Sequence, residues 1–470
     1  MMLLLKIAFR NILRNRRRSA MTGSAVAVGT AALLVFGGFT GFLFAGFETN
    51  LVQRIGHLTV FRDGYFLFGA GNPTAYGIDG YQQVMDLINR DPVLQPLLNV
   101  VTPTQSLVGI AGNFAGENDA AKTFLGIGLV PADRDRMRSW NEFGAGRVYA
   151  PDQRLAGDDE SRGLIGGGLA RILGLCAPLK LGNCPPPPET AQPSLASATP
   201  SDPAIGELAR RETTAGDASA EKDLPRLDLL SATAAGAPNV VSLYVAGVDP
   251  QGIKELDDNY VAMHLSLAQQ LVYGRGEHKA TGIVLQLKRS RDLPLARARL
   301  NALFKERGLN LEVHDFAELT PFYVQVIGLF SAIFLFIAVI MGVIVLFAVV
   351  NTMTMNVMER TNEIGTIRAM GVRRRGVRRQ FLIEGSLLGA IGATIGFILA
   401  VIVVVVVNHA GLSWVPPGNA NPIPFRLELS GRPALVIGTW LGLVLVATLA
   451  ALIPANRAAK LPVVDALRHV

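Results

Sequence analysis

Few residues of this 470-residue chain have the types and spacing that chemistry needs. Its six histidines, at 57, 264, 278, 314, 409 and 469, are scattered, with no H-E-x-x-H pair to hold zinc. No G-x-x-x-x-G-K-S/T loop is present to cradle nucleotide phosphates, and "EGSLLG" does not fit the G-x-S-x-G turn of a serine nucleophile. The two cysteines, Cys176 and Cys184, lack C-x-x-C metal spacing. They are candidates for a disulfide closing a small loop, with two free thiols as the alternative. The densest charge lies in "MERTNEIGTIRAMGVRRRGVRRQFLIEG", Met358–Gly385, with seven arginines beside Glu359, Glu363 and Glu384. Such a set makes and breaks no covalent bond. It sets membrane orientation and pairs with helix dipoles or a partner surface.

Four uncharged apolar runs flank these residues: Ala25–Phe47, Leu329–Val350, Leu387–Val407 and Ala434–Ile453. Each has the roughly 20 residues that a helix needs to cross a bilayer. The net charge of +7 follows the same division. Residues 48–320 carry 26 Lys and Arg against 32 Asp and Glu, whereas 1–20, 355–380 and 455–470 together carry 16 against 3. The basic pI therefore points to no nucleic acid. By the Lys/Arg bias, both termini and the loop after the second run face the cytoplasm, and 48–320 and 409–433 face outward. The first run is too long, and lacks a cleavage site, for a signal peptide, so we read it as an uncleaved anchor.

The expected organisation is an amphipathic cytoplasmic helix (1–20), span 1 (21–47), a large outer domain (48–320), span 2 (322–350) and a coupling helix with a basic loop (359–379). Span 3 (381–408), a short outer loop (409–433), span 4 (434–454) and a cytoplasmic tail (455–470) follow. In the first segment Leu5, Ala8, Phe9, Ile12 and Leu13 form one face and Lys6, Arg10, Arg14 and Arg17 the other, which suits the headgroup layer. Ser19 or Thr22 could cap span 1. Glycines four apart in span 1 (Gly37, Gly41) and span 3 (Gly385, Gly389; Gly392, Gly396) would allow close helix approach. Glu384, at the mouth of span 3, needs a partner such as a nearby Arg, or acts in conformational coupling.

In 48–320, "GHLTVF", "VVSLYVAGV", "TGIVLQLK" and "LNLEVHDF" read as strands, and "YQQVMDLINRD" and "LPLARARLNALFKERG" as helices. The fold class is thus a polytopic α-helical membrane protein with four transmembrane helices and a large mixed α/β extracytoplasmic domain. The Pro-, Ala- and Ser-rich stretch 185–225 reads as a mobile insertion. Ile364, Ile367 and Gly371 share one face of the 360–371 segment, with Met370 at its edge. Glu359 and Glu363 begin that segment and Arg373–Arg375 follow it, which suits the helix dipole.

"ERTNEIGTIRAMGVRRRGVRRQFLIEGSLLGAIGATIG" (359–396) resembles the signature of FtsX-like ABC transporter permeases, the type VII group of MacB and LolC/LolE. The pattern E-R-x-x-E-I-G-x-x-R-A-x-G-A, then F-L-x-E, is matched at Glu359, Arg360, Glu363, Ile364, Gly365, Arg368, Ala369, Gly371, Phe381, Leu382 and Glu384. It departs at Val372. "PANRAAKLPVVDALRHV" and "AFRNILRNRRRSAMT" resemble the family's ends, and "GHLTVFRDGYF" and "GGGLARILGL" resemble the MacB-like core domain of lipoprotein-releasing permeases. The resemblance implies an inner-membrane permease without enzymatic activity, paired with a second permease subunit, identical or not. A separate cytoplasmic ABC ATPase dimer would bind the ATP and Mg, since span 1 begins near residue 25. The coupling residues would be Glu359, Glu363, Ile364, Gly365, Ile367, Arg368, Ala369, Met370 and Gly371. The implied action is mechanotransmission for release of lipoprotein or another amphiphile. Tripartite efflux with a periplasmic adaptor, or regulation of a periplasmic cell-wall enzyme, are the alternatives.

Overall fold

The computed structural model describes residues 2–462 apart from 115–119, 145–154, 156–158, 183, 185–223, 252, 275, 277, 415–422 and 430. All but the last two positions of the stretch 185–225 lie outside the described residues, as do 463–470 and part of the 409–433 loop.

Helix α1 (Met2–Arg14) is separated by Asn15 from α2 (Arg16–Ile55), the first of four long apolar helices. An inserted domain follows: β1 (Leu58–Arg62), α3 (Tyr65–Phe68), α4 (Tyr81–Arg90), β2 (Leu98–Asn113), β3 (Ala120–Leu129), α5 (Pro131–Arg138), β4 (Arg162–Ile165) and α6 (Gly167–Ile172). It continues with β5 (Arg226–Ala232), β6 (Pro238–Val248), α7 (Lys254–Asp257), β7 (Tyr260–His264), α8 (Leu265–Tyr273), β8 (Gly282–Leu287), α9 (Leu293–Glu306), β9 (Leu311–Asp315) and α10 (Phe316–Leu319). The chain returns through α11 (Pro321–Glu359), the short α12 (Thr361–Ala369), α13 (Arg374–His409), the paired β10 (Ser413–Trp414) and β11 (Ile423–Pro424), and α14 (Pro433–Lys460). Helix α1, α12 and the end of α14 therefore lie at one end of the helical bundle, the foot, and the inserted domain at the other.

The long helices run past the apolar stretches that mark them. At 1.5 Å per residue, the 40 residues of α2 extend about 60 Å, twice a bilayer core of roughly 30 Å. The surplus carries α2 into the inserted domain. Ser19 and Thr22 do not cap this helix, because it already starts at Arg16; Thr22 lies inside it, with its hydroxyl 2.5 Å from that of Thr352. Span 1 is 61% buried over its most apolar window, against 11%, 22% and 22% for spans 2, 3 and 4. Span 1 is thus the central helix, and the others present apolar side chains to their surroundings.

In the inserted domain β2, β3, β7, β4, β6 and β5 pair in a closed ring, and the first half of β2 continues into a wing of β8, β1 and β9. Closure removes free edges from the ring. Leu107, Phe124, Leu169, Leu227, Leu243 and Met263 are among the residues that fill one core, with α6 and α8 packed on it. A second core lies under the wing, where α4 and α9 contribute Ile88, Leu300 and Phe304 against Leu58, Ile283 and Leu285. The four strands and two helices expected from the sequence are present as β1, β6, β8, β9, α4 and α9. Strands β2, β3, β4, β5 and β7 gave weaker signals. β2 contains Pro103 between two Thr, followed by Gln105, and β3 is rich in small residues.

Candidate functional site

The foot is organised around α12. A one-residue break at Arg360 (φ −110°, ψ 19°) separates it from α11. Glu363 in its first turn and Arg368 in its last complement the helix dipole. Gly371, at φ +93°, ends it: the Gly371 amide donates to the Arg368 carbonyl and that of Val372 to Ile367, a Schellman closure that needs a residue tolerant of the left-handed region.

α12 is tied to several neighbouring helices. The Ile364 side chain is buried with Val357 of α11, Val377 and Phe381 of α13, and Ala455 and Ala458 of α14. Arg368 donates to the Leu461 carbonyl just after α14. Glu363 pairs with Arg14 of α1 at 2.9 Å, which also holds the Arg14 pKa above its ordinary value. Glu359 pairs with Arg18 of α2 and accepts a 3.0 Å hydrogen bond from Asn15. Arg360 reaches Glu384 of α13 at 3.4 Å, both side chains being almost fully buried, and donates to the Asn11 carbonyl of α1. Glu384 is thus held by Arg360 within the chain. Together α12, Glu359 and Arg360 contact α1 and all four long helices.

The foot departs from the sequence expectation in two respects. Ile364 and Gly365 are buried in the chain's own bundle and Ile367 is half-buried, so no stripe through Ile364 faces outward. Met358, Met370 and Val372, which flank α12, are exposed instead. In addition, the basic segment is no loop: Arg374, Arg375, Arg378 and Arg379 form the first turns of α13. They lie at the positive end of that helix rather than serving the negative end of α12, an arrangement that costs about 0.3–1 kcal/mol per charge near the end. Ala369 closes α12.

The span 3 glycines divide into two pairs. A Cβ on Gly385 or Gly389 would lie 2.5 or 2.6 Å from Cβ of Ala451 or Ala447 on α14. On Gly392 it would lie 2.7 Å from Val26 Cβ, and on Gly396 2.4 Å from the Ala27 carbonyl oxygen, both on α2. α13 therefore packs against two neighbours through one glycine ridge. The span 1 pair differs. Gly37 faces Leu435 and Phe334, and Gly41 faces Arg432, which donates to the Gly41 carbonyl at 2.8 Å. Gly41 thus admits an arginine, not another helix. In the inserted domain Cys176 and Cys184 are joined by a disulfide.

One assembly gave no motif. In "PADRDRMRSW", Arg134 and Arg138 of α5 are buried at the far end of α2, where Arg138 pairs with Asp249 at 2.8 Å. Unspaced charge on a short polar helix reads as solvated surface, and only tertiary packing identifies it otherwise. Among the described residues no cluster of His, Cys, Asp and Glu is arranged to hold a metal.

Residues 320–463, from the start of α11 to just beyond α14, match the FtsX-like permease C-terminal family. The macrolide export ATP-binding/permease protein MacB of Bdellovibrio bacteriovorus is 25% identical over 243 residues, covering 49% of this chain and 35% of that protein. The ABC transporter permease YtrF of Bacillus subtilis is 34% identical over 155 residues, 32% of this chain and 34% of YtrF. The chain thus spans about a third of the length of these relatives. The extracellular domain of the noncanonic ABC-type transporter YknZ from Gram-positive bacteria aligns over 55% of this chain and 99% of its own, at 9% identity and a TM-score of 0.27. The signature at 359–384 lies within the matched segment, at the break and turn that shape the foot, so residues 320–463 form an FtsX-like permease C-terminal segment.

Proposed function

We propose that this chain is the membrane-spanning permease of an ABC transporter and that α12 is the helix on which a cytoplasmic ATPase pushes. The observation that carries this is the set of ties from α12 and its flanking residues to α1, α2, α11, α13 and α14. A helix so connected converts one push into movement of the whole bundle. The docking groups are Met358, Met370 and Val372, adaptable apolar side chains with Glu359, Glu363 and the α13 arginines as an ionic rim. ATP and Mg would be held by the ATPase.

The charge bias supports a foot in the cytoplasm of an inner-membrane protein and an inserted domain in the periplasm, where the Cys176–Cys184 bond would persist. Movement of α2 would then be delivered to that domain, which is mechanotransmission, and a second permease subunit would complete the transporter. The cargo class is amphiphilic. Lipoprotein release is one form of it, drawn from the resemblance of the β1 segment. Export of small amphiphiles with a periplasmic adaptor is favoured by the relatives named for macrolide export.

The test is copurification and ATP turnover with the cognate ATPase in nanodiscs. Wild-type protein should bind and stimulate it, and Met358→Asp with Met370→Asp should lose both while keeping its helical content. Unchanged stimulation in that variant would overturn the docking surface. A reporter fused at residue 370 that is active only outside the cytoplasm would overturn the orientation.

A further inference from the structure

The inserted domain hangs from two helices, and the two attachments are built differently. α2 ends inside the domain. The last four carbonyls of a helix lack partners within it, and here each is supplied. The Val52 carbonyl accepts from the Gly56 amide and from Gln286 Nε2, both at 3.1 Å. The carbonyls of Gln53 and Arg54 accept from Arg134 at 3.4 and 2.5 Å, and that of Ile55 from the Thr59 hydroxyl at 3.2 Å. Arg134 is nine-tenths buried, and its guanidinium lies where the helix dipole is negative. Side chains of the same turn reach into the domain: Gln53 donates to the Trp140 carbonyl at 2.7 Å, and Arg54 bonds to Gln251 and the Pro250 carbonyl.

Helix and sheet then join without a linker. Gly56 has φ +72°, and a Cβ there would lie 2.6 Å from Val284 Cγ1 and 2.7 Å from the Leu285 carbonyl oxygen. His57 follows, and β1 pairs with β8 on one side and β9 on the other.

Span 2 leaves the domain otherwise. Arg297 with Asp315 and Glu318, and His314 with Glu318, fix α10 to β9 and α9. Beyond Glu318 this stops. Thr320 has neither helical nor extended backbone (φ −129°, ψ 75°) and provides no side-chain cap, and Pro321 starts α11. Among the described residues, no side chain of 321–328 makes a hydrogen bond or ion pair, and Phe322 and Val324 are exposed. What joins the two sides is apolar packing at Tyr323, whose ring lies 5.5 Å from that of Phe316 in a cluster with Val52 and Trp140.

We infer that Arg134 is the positioning residue that fixes span 1 rigidly to the inserted domain, so that span 1 drives this domain while span 2 follows through a hinge at Thr320–Pro321. The inference rests on the permease reading for its use, but not for its test. With Cys176 and Cys184 bonded to each other, spin labels attach only at introduced cysteines. One pair joins Val28→Cys on span 1 to Val240→Cys on the domain, and the other joins Leu335→Cys on span 2 to the same domain site; all three positions are exposed.

Distance distributions are measured by pulsed electron resonance on the protein alone in nanodiscs, without ATPase. The span 1 pair should be narrow and the span 2 pair broad. Arg134→Gln should broaden the span 1 pair to the width of the span 2 pair, Arg134→Lys should restore part of the narrowness, and Arg297→Gln should leave the span 1 pair unchanged. Equal widths in the otherwise unaltered protein overturn the inference. A folded Arg134→Gln protein whose span 1 pair stays narrow does so as well. Because no ATPase is present, failure here leaves the docking proposal standing, and failure to bind an ATPase leaves this joint standing.

Discussion

The foot and the far joint of span 1 both fasten helices together with arginines, by opposite means. At the joint Arg134 and Gln286 serve backbone carbonyls that face no solvent, and the polar groups around them are buried. At the foot the pairs Arg14–Glu363 and Arg18–Glu359 are partly exposed, and only Arg360–Glu384 is enclosed. Exposed ion pairs contribute roughly 0–1 kcal/mol and exchange readily with other partners, whereas a buried donor left without its acceptor costs about 1–3 kcal/mol. On the proposed reading, a partner can rearrange the exposed pairs of the foot, and the buried joint passes on what it receives.

The largest effect we expect is at the one foot contact that resembles the joint. Glu384→Ala would leave Arg360 buried without a counter-charge and should cost about 3–5 kcal/mol, read as loss of the monodisperse folded protein on heating in detergent. Arg360→Met with Glu384→Leu should recover most of it, because the pair's own net contribution is small once both charges are gone. A double variant as unstable as the single would show that the pair does more than neutralise itself.

The joint should be sensitive to acid through a buried histidine. His57 is fully buried beside it: its Nδ1 accepts the Leu287 amide at 3.0 Å and its Nε2 lies 3.1 Å from the Ser290 hydroxyl. Burial lowers its pKa to about 4 from an ordinary 6.5, so the neutral ring contributes stability above pH 6.5 that is lost as pH falls towards 4. The loss over that window is about 3 kcal/mol, since the unfolded chain takes up the proton first. Trp140 meets His57 edge-on at 5.1 Å, so its fluorescence, with Trp414 and Trp440 replaced by Phe, reports the joint. His57→Gln should flatten the pH dependence, and an unchanged slope would remove His57 as its source.

Between these two regions runs the glycine ridge of α13. Gly396→Ala would press a methyl group to 2.4 Å from the Ala27 carbonyl oxygen and should cost about 1–3 kcal/mol by overpacking against span 1. Gly41→Ala should instead displace Arg432, a flexible side chain, with a smaller loss. The two glycines have the same spacing signature in the sequence and different neighbours in the fold. Thermal midpoints measured side by side would separate the two costs, and equal losses would contradict the assignment.

Much of the organisation is legible in the sequence because it depends on local properties. Apolar runs of spanning length, the bias of Lys and Arg, and the Glu-to-Arg polarity of α12 all follow from neighbours in the chain. Legibility fails where a residue's meaning is set by a distant partner. Ile364 sits on an apolar face whichever side that face turns, and only Val377 and Ala458 decide that it points inward. Arg373–Arg375 follow one helix and begin another, and charge alone does not say which helix they serve. Arg134 belongs to a short polar helix that reads as surface until the end of α2, about 80 positions earlier in the chain, is seen to need a donor.

The smallest stability effect should accompany the largest functional one. Glu363→Lys removes the exposed contact with Arg14 and puts two cations together, which should change stability by less than about 1 kcal/mol. If Glu363 is part of the ionic rim that an ATPase reads, the same change should abolish stimulated ATP turnover with the fold intact. Arg14→Glu in the same chain restores an opposite-charge pair with the polarity reversed. If turnover returns in that double variant, the internal pair is what matters and α12 acts through α1. If turnover stays lost while the midpoint recovers, the carboxylate at 363 is read by the partner directly, and the exposed ion pairs of the foot are a resting arrangement that docking replaces.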